Sequence, residues 1–223
     1  MKKILYIITV LFGGLFLMGS VSAKIVETGI VEAVKEEINY FGNKSNFDDE
    51  QTFDAYQSYV NMMQNADLSN YSESDDKVNI YIFRGSTCWH CFDEISWLST
   101  KVAEYGKYFN IHTYEVWENK DNSKLMNTVA KKLGETASGV PYTIIGKQTY
   151  SGFSEEMGNE MLEKVQELYN SADRYDIKND VNLEDGSTTK SDEKKSSSAV
   201  TIILIVIVLI AGIGLIYYVS KSK

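Results

Sequence analysis

Cysteine, histidine and proline are scarce in this chain: two, two and one residues among 223. Cys88, Cys91, His90 and His112 are its only thiol and imidazole groups, so a zinc site of the usual sulfur and nitrogen donors would need all four. No cysteine stands near the apolar N-terminal segment, which argues against a lipid-anchored N-terminus. No internal repeat is present, and no nucleotide-binding or metal-binding pattern is visible, so no cofactor is expected. Asp and Glu outnumber Lys and Arg 31 to 22, and the net charge of −9 argues against nucleic-acid binding.

What is present centres on Cys88-Trp89-His90-Cys91. Before it, Val78-Asn79-Ile80-Tyr81-Ile82-Phe83 is β-branched and aromatic, the composition of a buried strand. After it, Phe92, Ile95, Leu98, Val102 and Tyr105 recur at helical spacing, with Asp93, Glu94, Lys101 and Glu104 forming the expected polar face. The two thiols therefore stand where a strand hands over to a helix. A sulfur at a helix start meets backbone N–H groups and the positive end of the helix dipole, which favours thiolate, and His90 adds positive charge beside it. Three readings remain open: a zinc half-site, a structural disulfide and a redox dithiol. Spacing, context and compartment favour the third.

Two apolar segments frame the chain. Lys2 and Lys3 precede an apolar stretch at residues 4–12, and Val21-Ser22-Ala23 follows, the layout of a signal peptide cleaved after Ala23 or of an uncleaved signal anchor. Residues 199–219 carry no charge and at about 1.5 Å per residue cover roughly 30 Å, enough for a transmembrane helix. Lys2, Lys3, Lys221 and Lys223 lie outside these segments and all acidic residues lie between them. Both ends are therefore expected in the cytoplasm, with the acidic middle outside. The expected divisions are a signal peptide at 1–23, a helical extension at 24–75, a folded domain at 76–172, a flexible polar stalk at 173–198, the membrane helix at 199–219 and a short tail at 220–223. As a coil the stalk would reach about 28 Å.

Within the extension, Ile30, Val31, Val34, Ile38 and Phe41 make one apolar stripe and Phe53, Tyr56, Val60 and Met63 another, which predicts two helices against the core. Residues 66–77 read as a polar loop. After the motif helix, 111–117 reads as a strand, 124–133 as a helix, and Gly146 and Gly152 bracket a hairpin before a closing helix at 157–169. This order predicts an α/β fold, a mixed central sheet flanked by helices. Pro141 stands at the start of a strand in Ser138-Gly139-Val140-Pro141-Tyr142-Thr143.

Strand, Cys-X-X-Cys, helix, strand, helix, then Gly-Val-Pro-Tyr-Thr before a hairpin and a last helix resembles the thioredoxin-like superfamily over residues 76–170. The resemblance implies a cis Pro141 facing the dithiol, with Val140 and Pro141 as the edge on which an extended substrate docks and Trp89 lining the groove. It also implies Cys88 as nucleophile, Cys91 as resolving thiol and His90 as a tuning residue of the kind found in DsbA-type oxidases and protein disulfide isomerases. Two positions depart from the family. Ile82 occupies the place of its buried acid, leaving the proton acceptor for Cys91 unassigned, with Glu115 a candidate. Thr87 occupies the place of the tryptophan before the first cysteine.

The expected function is a membrane-anchored extracytoplasmic thiol–disulfide oxidoreductase. Its partners would be thiols or disulfides of exported proteins or peptides and a membrane-bound or soluble thiol redox partner. The anchored layout also resembles thioredoxin-like accessory proteins of bacteriocin export and, more remotely, anchored thioredoxin-like proteins of the eukaryotic secretory pathway. A non-catalytic, membrane-tethered binding module or redox sensor is the alternative.

Overall fold

The computed structural model describes residues 24–188. Its centre is a five-stranded mixed sheet whose spatial order is Thr28–Gly29 (β1), Phe109–Glu115 (β3), Val78–Arg84 (β2), Tyr142–Ile145 (β4) and Gln148–Ser151 (β5). β2 (Val78–Arg84) runs through the middle, parallel to β3 (Phe109–Glu115) and antiparallel to β4 (Tyr142–Ile145). β5 (Gln148–Ser151) closes the hairpin on β4. Every residue of β2 is buried, as its uninterrupted apolar and aromatic run demands of a strand covered on both faces.

The alternation of β2 separates two cores. Val78, Ile80 and Ile82 face the larger one, shared with α1 (Ile30–Phe41), α2 (Glu50–Gln64), α3 (Trp89–Tyr105) and α5 (Glu155–Tyr169). Tyr81 and Phe83 face the other, shared with α4 (Lys120–Lys132). The sheet flanked by helices is therefore as expected, and its order is compatible with a thioredoxin-like arrangement.

Several boundaries move, each for a local reason. β3 begins at Phe109 because it stays in register with β2 from Val78↔Phe109 to Arg84↔Glu115. α4 starts at Lys120, not 124, because the Asn119 side chain accepts N–H bonds from Asp121 and Asn122. α5 starts at Glu155, since Ser154 caps it by accepting from Met157 N–H.

The extension is more than two helices. Thr28–Gly29 forms β1, antiparallel to β3, with Thr113 Oγ1 donating to the Thr28 carbonyl at 2.8 Å. Val26 is tied to α4 by two hydrogen bonds with the Asn122 side chain. α1 and α2 cover α3 through aromatic contacts: Phe41 stacks on Phe92 at 4.0 Å between ring centroids, and Tyr56 and Tyr59 meet the same ring edge-on. The buried face of α1 is Ile30, Ala33, Val34, Glu37 and Phe41, while Val31 is exposed.

Residues 173–188, assigned by composition to the stalk, fold back on the second core. Ile177 and Val181 are buried there, and Asp176 accepts hydrogen bonds from Tyr81 Oη at 2.8 Å and Asn79 Nδ2 at 2.6 Å. Two well-spaced aliphatic side chains and one acid suffice to dock a segment whose average composition is polar. Among the described residues no helix is long and apolar enough to cross a membrane. The signal segment, the distal stalk, the 199–219 membrane helix and the cytoplasmic tail lie outside the described residues.

Candidate active site

β2 ends at Arg84, and Gly85, Ser86 and Thr87 carry the chain to Cys88, the N-cap of α3. The turn is closed by Cys88 N–H donating to the Gly85 carbonyl at 3.2 Å. Cys88 and Cys91 form a disulfide with their Cα atoms 5.2 Å apart. Cys88 Sγ takes the place of a capping oxygen and accepts the Cys91 N–H at 3.2 Å, so the first sulfur sits in the field of the helix start. Cys91 Sγ accepts the Gly85 N–H at 3.5 Å. Cys88 retains 7 % of its surface and Cys91 none, so any approach from outside meets Cys88.

The residues singled out from the sequence gather at this sulfur unequally. The Val140 carbonyl oxygen lies 3.7 Å from Cys88 Sγ, and the Val140–Pro141 peptide is cis. Pro141 is anchored by Gly152 N–H donating to its carbonyl at 2.9 Å. Val140 itself lies outside the sheet ladder, two residues before the start of β4. Trp89 is 50 % exposed, and its ring lies 3.5 Å from that of His90. His90 makes no hydrogen bond to Cys88; its charge acts on Asp93, whose carboxyl burial raises and His90 lowers.

Three further residues belong to the site. Trp117, 52 % exposed, lies over Gly85, where any side chain would run into the indole. Arg84 is fully buried and meets Glu37 at 3.2 Å and Glu36 beside it. Burial pushes the Glu37 carboxyl up to about 8 against the pull of that guanidinium. Glu94, assigned to the polar face of α3, is completely buried, because α1, α2, α5 and the sheet enclose this helix on almost every side. The spacing from Cys91 to Glu94 was the available signal, since i and i+3 share a helix face.

Glu115 does not serve Cys91. Its carboxylate accepts N–H bonds from Trp117, Glu118 and Asn119 and shapes the loop after β3. Nor do the four zinc donors converge. The cysteines are bonded to each other, while His112 stacks on Tyr81, with Nδ1 at 2.6 Å from Glu27 and Nε2 at 3.0 Å from Asn79. Among the described residues, Glu27, Glu73 and His112 bring one ligand atom each within 4.8 Å of one another. They line a cavity of about 740 Å³, away from the disulfide, and both ring nitrogens of His112 are already engaged.

A disulfide spanning the first helical turn, with one sulfur reachable and the other enclosed, can exchange with a thiol by attack at Cys88 and departure of Cys91. No family model, no curated protein and no solved structure matches the chain in comparisons with known proteins.

Proposed function

We propose that this chain is a thioredoxin-like thiol–disulfide oxidoreductase, anchored in a membrane and acting on thiols or disulfides of exported proteins or peptides. The observation that carries the reading is the placement of Cys88 Sγ at the N-cap of α3, 3.7 Å from the Val140 carbonyl. A nucleophilic sulfur stabilised by the helix start thus adjoins a backbone segment outside the sheet, where an extended peptide can add as a strand. Trp89, next to Cys88 in the chain, and Trp117, lying over Gly85, stand exposed and offer apolar walls for the residues flanking a substrate cysteine.

In the oxidising direction a substrate thiolate attacks Cys88 Sγ, the Cys88–Cys91 bond breaks, and Cys91 leaves with the electron pair. A second substrate thiolate then displaces Cys88 from the mixed disulfide, so the substrate gains a disulfide and the protein a dithiol. The reverse sequence reduces a substrate disulfide. Regeneration needs a second thiol or disulfide system as electron partner. The bacteriocin-export resemblance would narrow the substrates to secreted peptides; the uncharged run at 199–219 supports the membrane anchor, and the lysines outside the two apolar segments with the acidic residues between them support the orientation.

Turnover with a peptide carrying two cysteines, in a glutathione buffer, tests the reading. Catalysed formation or loss of the peptide disulfide is the expected result. Peptide binding that depends on redox state but produces no turnover would favour the binding module or sensor. The equilibrium potential of the couple then sets direction, about −270 mV marking a thioredoxin-like reductase and about −120 mV a DsbA-like oxidant.

Replacing His90 by Pro is expected to make the couple more reducing. The residue lies in the first turn of α3, where proline is tolerated. Loss of the imidazole charge weakens the Cys88 thiolate and so penalises the reduced state. Each 1.4 kcal/mol of lost stabilisation lowers the potential by about 30 mV. An unchanged potential would leave the helix start as the source of thiolate stabilisation.

A further inference from the structure

Glu94 is a buried acid on the same helix as the dithiol, one turn beyond Cys91, and among the described residues it has no ion-pair partner. Its Oε1 accepts a 2.7 Å hydrogen bond from Thr143 Oγ1. Its Oε2 is buried and has no hydrogen-bond partner among the described residues. Side chains on a helix lean towards its N-terminus, so Glu94 leans over the turn that contains Cys91, with Cβ atoms of such a pair about 5–6 Å apart. Thr143 ties the carboxyl to β4 two residues after Pro141, directly opposite Ile82 on β2. The acid is therefore fastened both to the helix of the resolving sulfur and to the strand that follows the docking edge.

The charged groups around α3 are engaged elsewhere. On the side of α1, Glu37 and Glu36 hold Arg84. His90 faces Asp93, and Tyr56 of α2 is under the influence of the same Asp93. Lys101 lies over the Trp97 ring at 5.0 Å, and α5 meets that ring through Gly158. Burial without a compensating cation pushes the Glu94 carboxyl up to about 8, with the Thr143 bond pulling it part of the way back. An apolar side chain would occupy such a place at less cost.

Cys91 poses the complementary problem. It is wholly enclosed, yet it must give up a proton to attack and take one when it leaves. We propose that Glu94 is the proton relay for Cys91. The inference rests on the thiol–disulfide reading above. In resolution of a mixed disulfide, the Glu94 carboxylate takes the Cys91 thiol proton. The Cys91–Cys88 bond forms, the bond from Cys88 to the substrate sulfur breaks, and the substrate thiolate departs with the electron pair. In the oxidising direction the Glu94 carboxylic acid gives its proton to Cys91 as the disulfide opens. No oxidant or reductant beyond the substrate thiol or disulfide is required.

The test uses the reduced full chain and oxidised glutathione as probe, with the two steps separated by acid quench and mass analysis. Mixed-disulfide formation at Cys88 is expected to proceed at the same rate in wild type and Glu94→Gln. Resolution by Cys91 is expected to slow about 100-fold at pH 7 in Glu94→Gln. The wild-type inflection near pH 8 should vanish. Thr143→Val removes the bond that lowers the carboxyl titration, so it should keep the inflection but move it to higher pH. This second variant decides the matter if Glu94→Gln does not fold. Resolution with an unchanged rate and pH profile in Glu94→Gln would overturn the relay. A slower rate that keeps the inflection would do the same, since packing alone would explain it. Failure of the wild-type protein to form any mixed disulfide would overturn the thiol–disulfide reading itself, and the relay with it.

Discussion

Cys91→Ser is expected to turn the protein into a trap. Cys88 can still open a partner disulfide, but nothing is left to resolve the product, so mixed disulfides should accumulate to a large fraction of the protein. Cys88→Ser should give none, because Cys91 is wholly enclosed and has no route to an external sulfur. Alkylation of the reduced wild-type protein should follow the same order and modify Cys88 first, helped by the N–H that Cys91 donates to Cys88 Sγ. Non-reducing electrophoresis and mass mapping read both results. Complexes that form through Cys91, or preferential alkylation of Cys91, would reverse the assigned roles. Captured partners also report topology. The charge pattern predicts exported or membrane proteins taken on the outer face, and cytoplasmic partners in intact cells would reverse the orientation.

Phe92→Ala is expected to cost about 3–5 kcal/mol of stability, the range for truncating a buried aromatic side chain. Phe92 directly follows the dithiol and has no exposed surface. It is the ring on which the extension closes, stacked on Phe41 and met by Tyr56 and Tyr59. Truncation opens a cavity between α1, α2 and α3, so unfolding should shift to much lower denaturant, and α1 should lose amide-exchange protection before the sheet does. Val31→Ala on the exposed side of α1 serves as control and should move stability by less than about 0.5 kcal/mol. Equal effects from the two substitutions would show that the helices of the extension contribute little to the fold.

The strand before the dithiol, the helix after it and the hairpin after Pro141 were legible in the sequence because short-range signals act there. β2 is a continuous run of buried-strand residues, α3 has an apolar stripe, Gly146 makes the β4–β5 turn and Gly152 follows the end of β5. The N-terminal position of Cys88 on a helix followed from the same local reading. Other features had no short-range signature. β1 is two residues long and exists through its pairing with Thr113 and His112 on β3, far along the chain. The docking of Ile177 and Val181 depends on a gap beside Tyr81 and Phe83 that only the assembled sheet creates.

Composition and spacing by themselves determined that two sulfurs share one helical turn, that a strand leads into them, and that the acidic body lies between two apolar segments. Those properties are covalent or periodic and do not depend on what packs where. Tertiary structure alone decided the environment of each acid. Glu115 turned to the backbone N–H groups of its own loop, and Glu94 was enclosed when three helices and a sheet closed around α3. A carboxyl group's proton affinity is set by the water and charges that remain near it after folding, and spacing along the chain does not encode either.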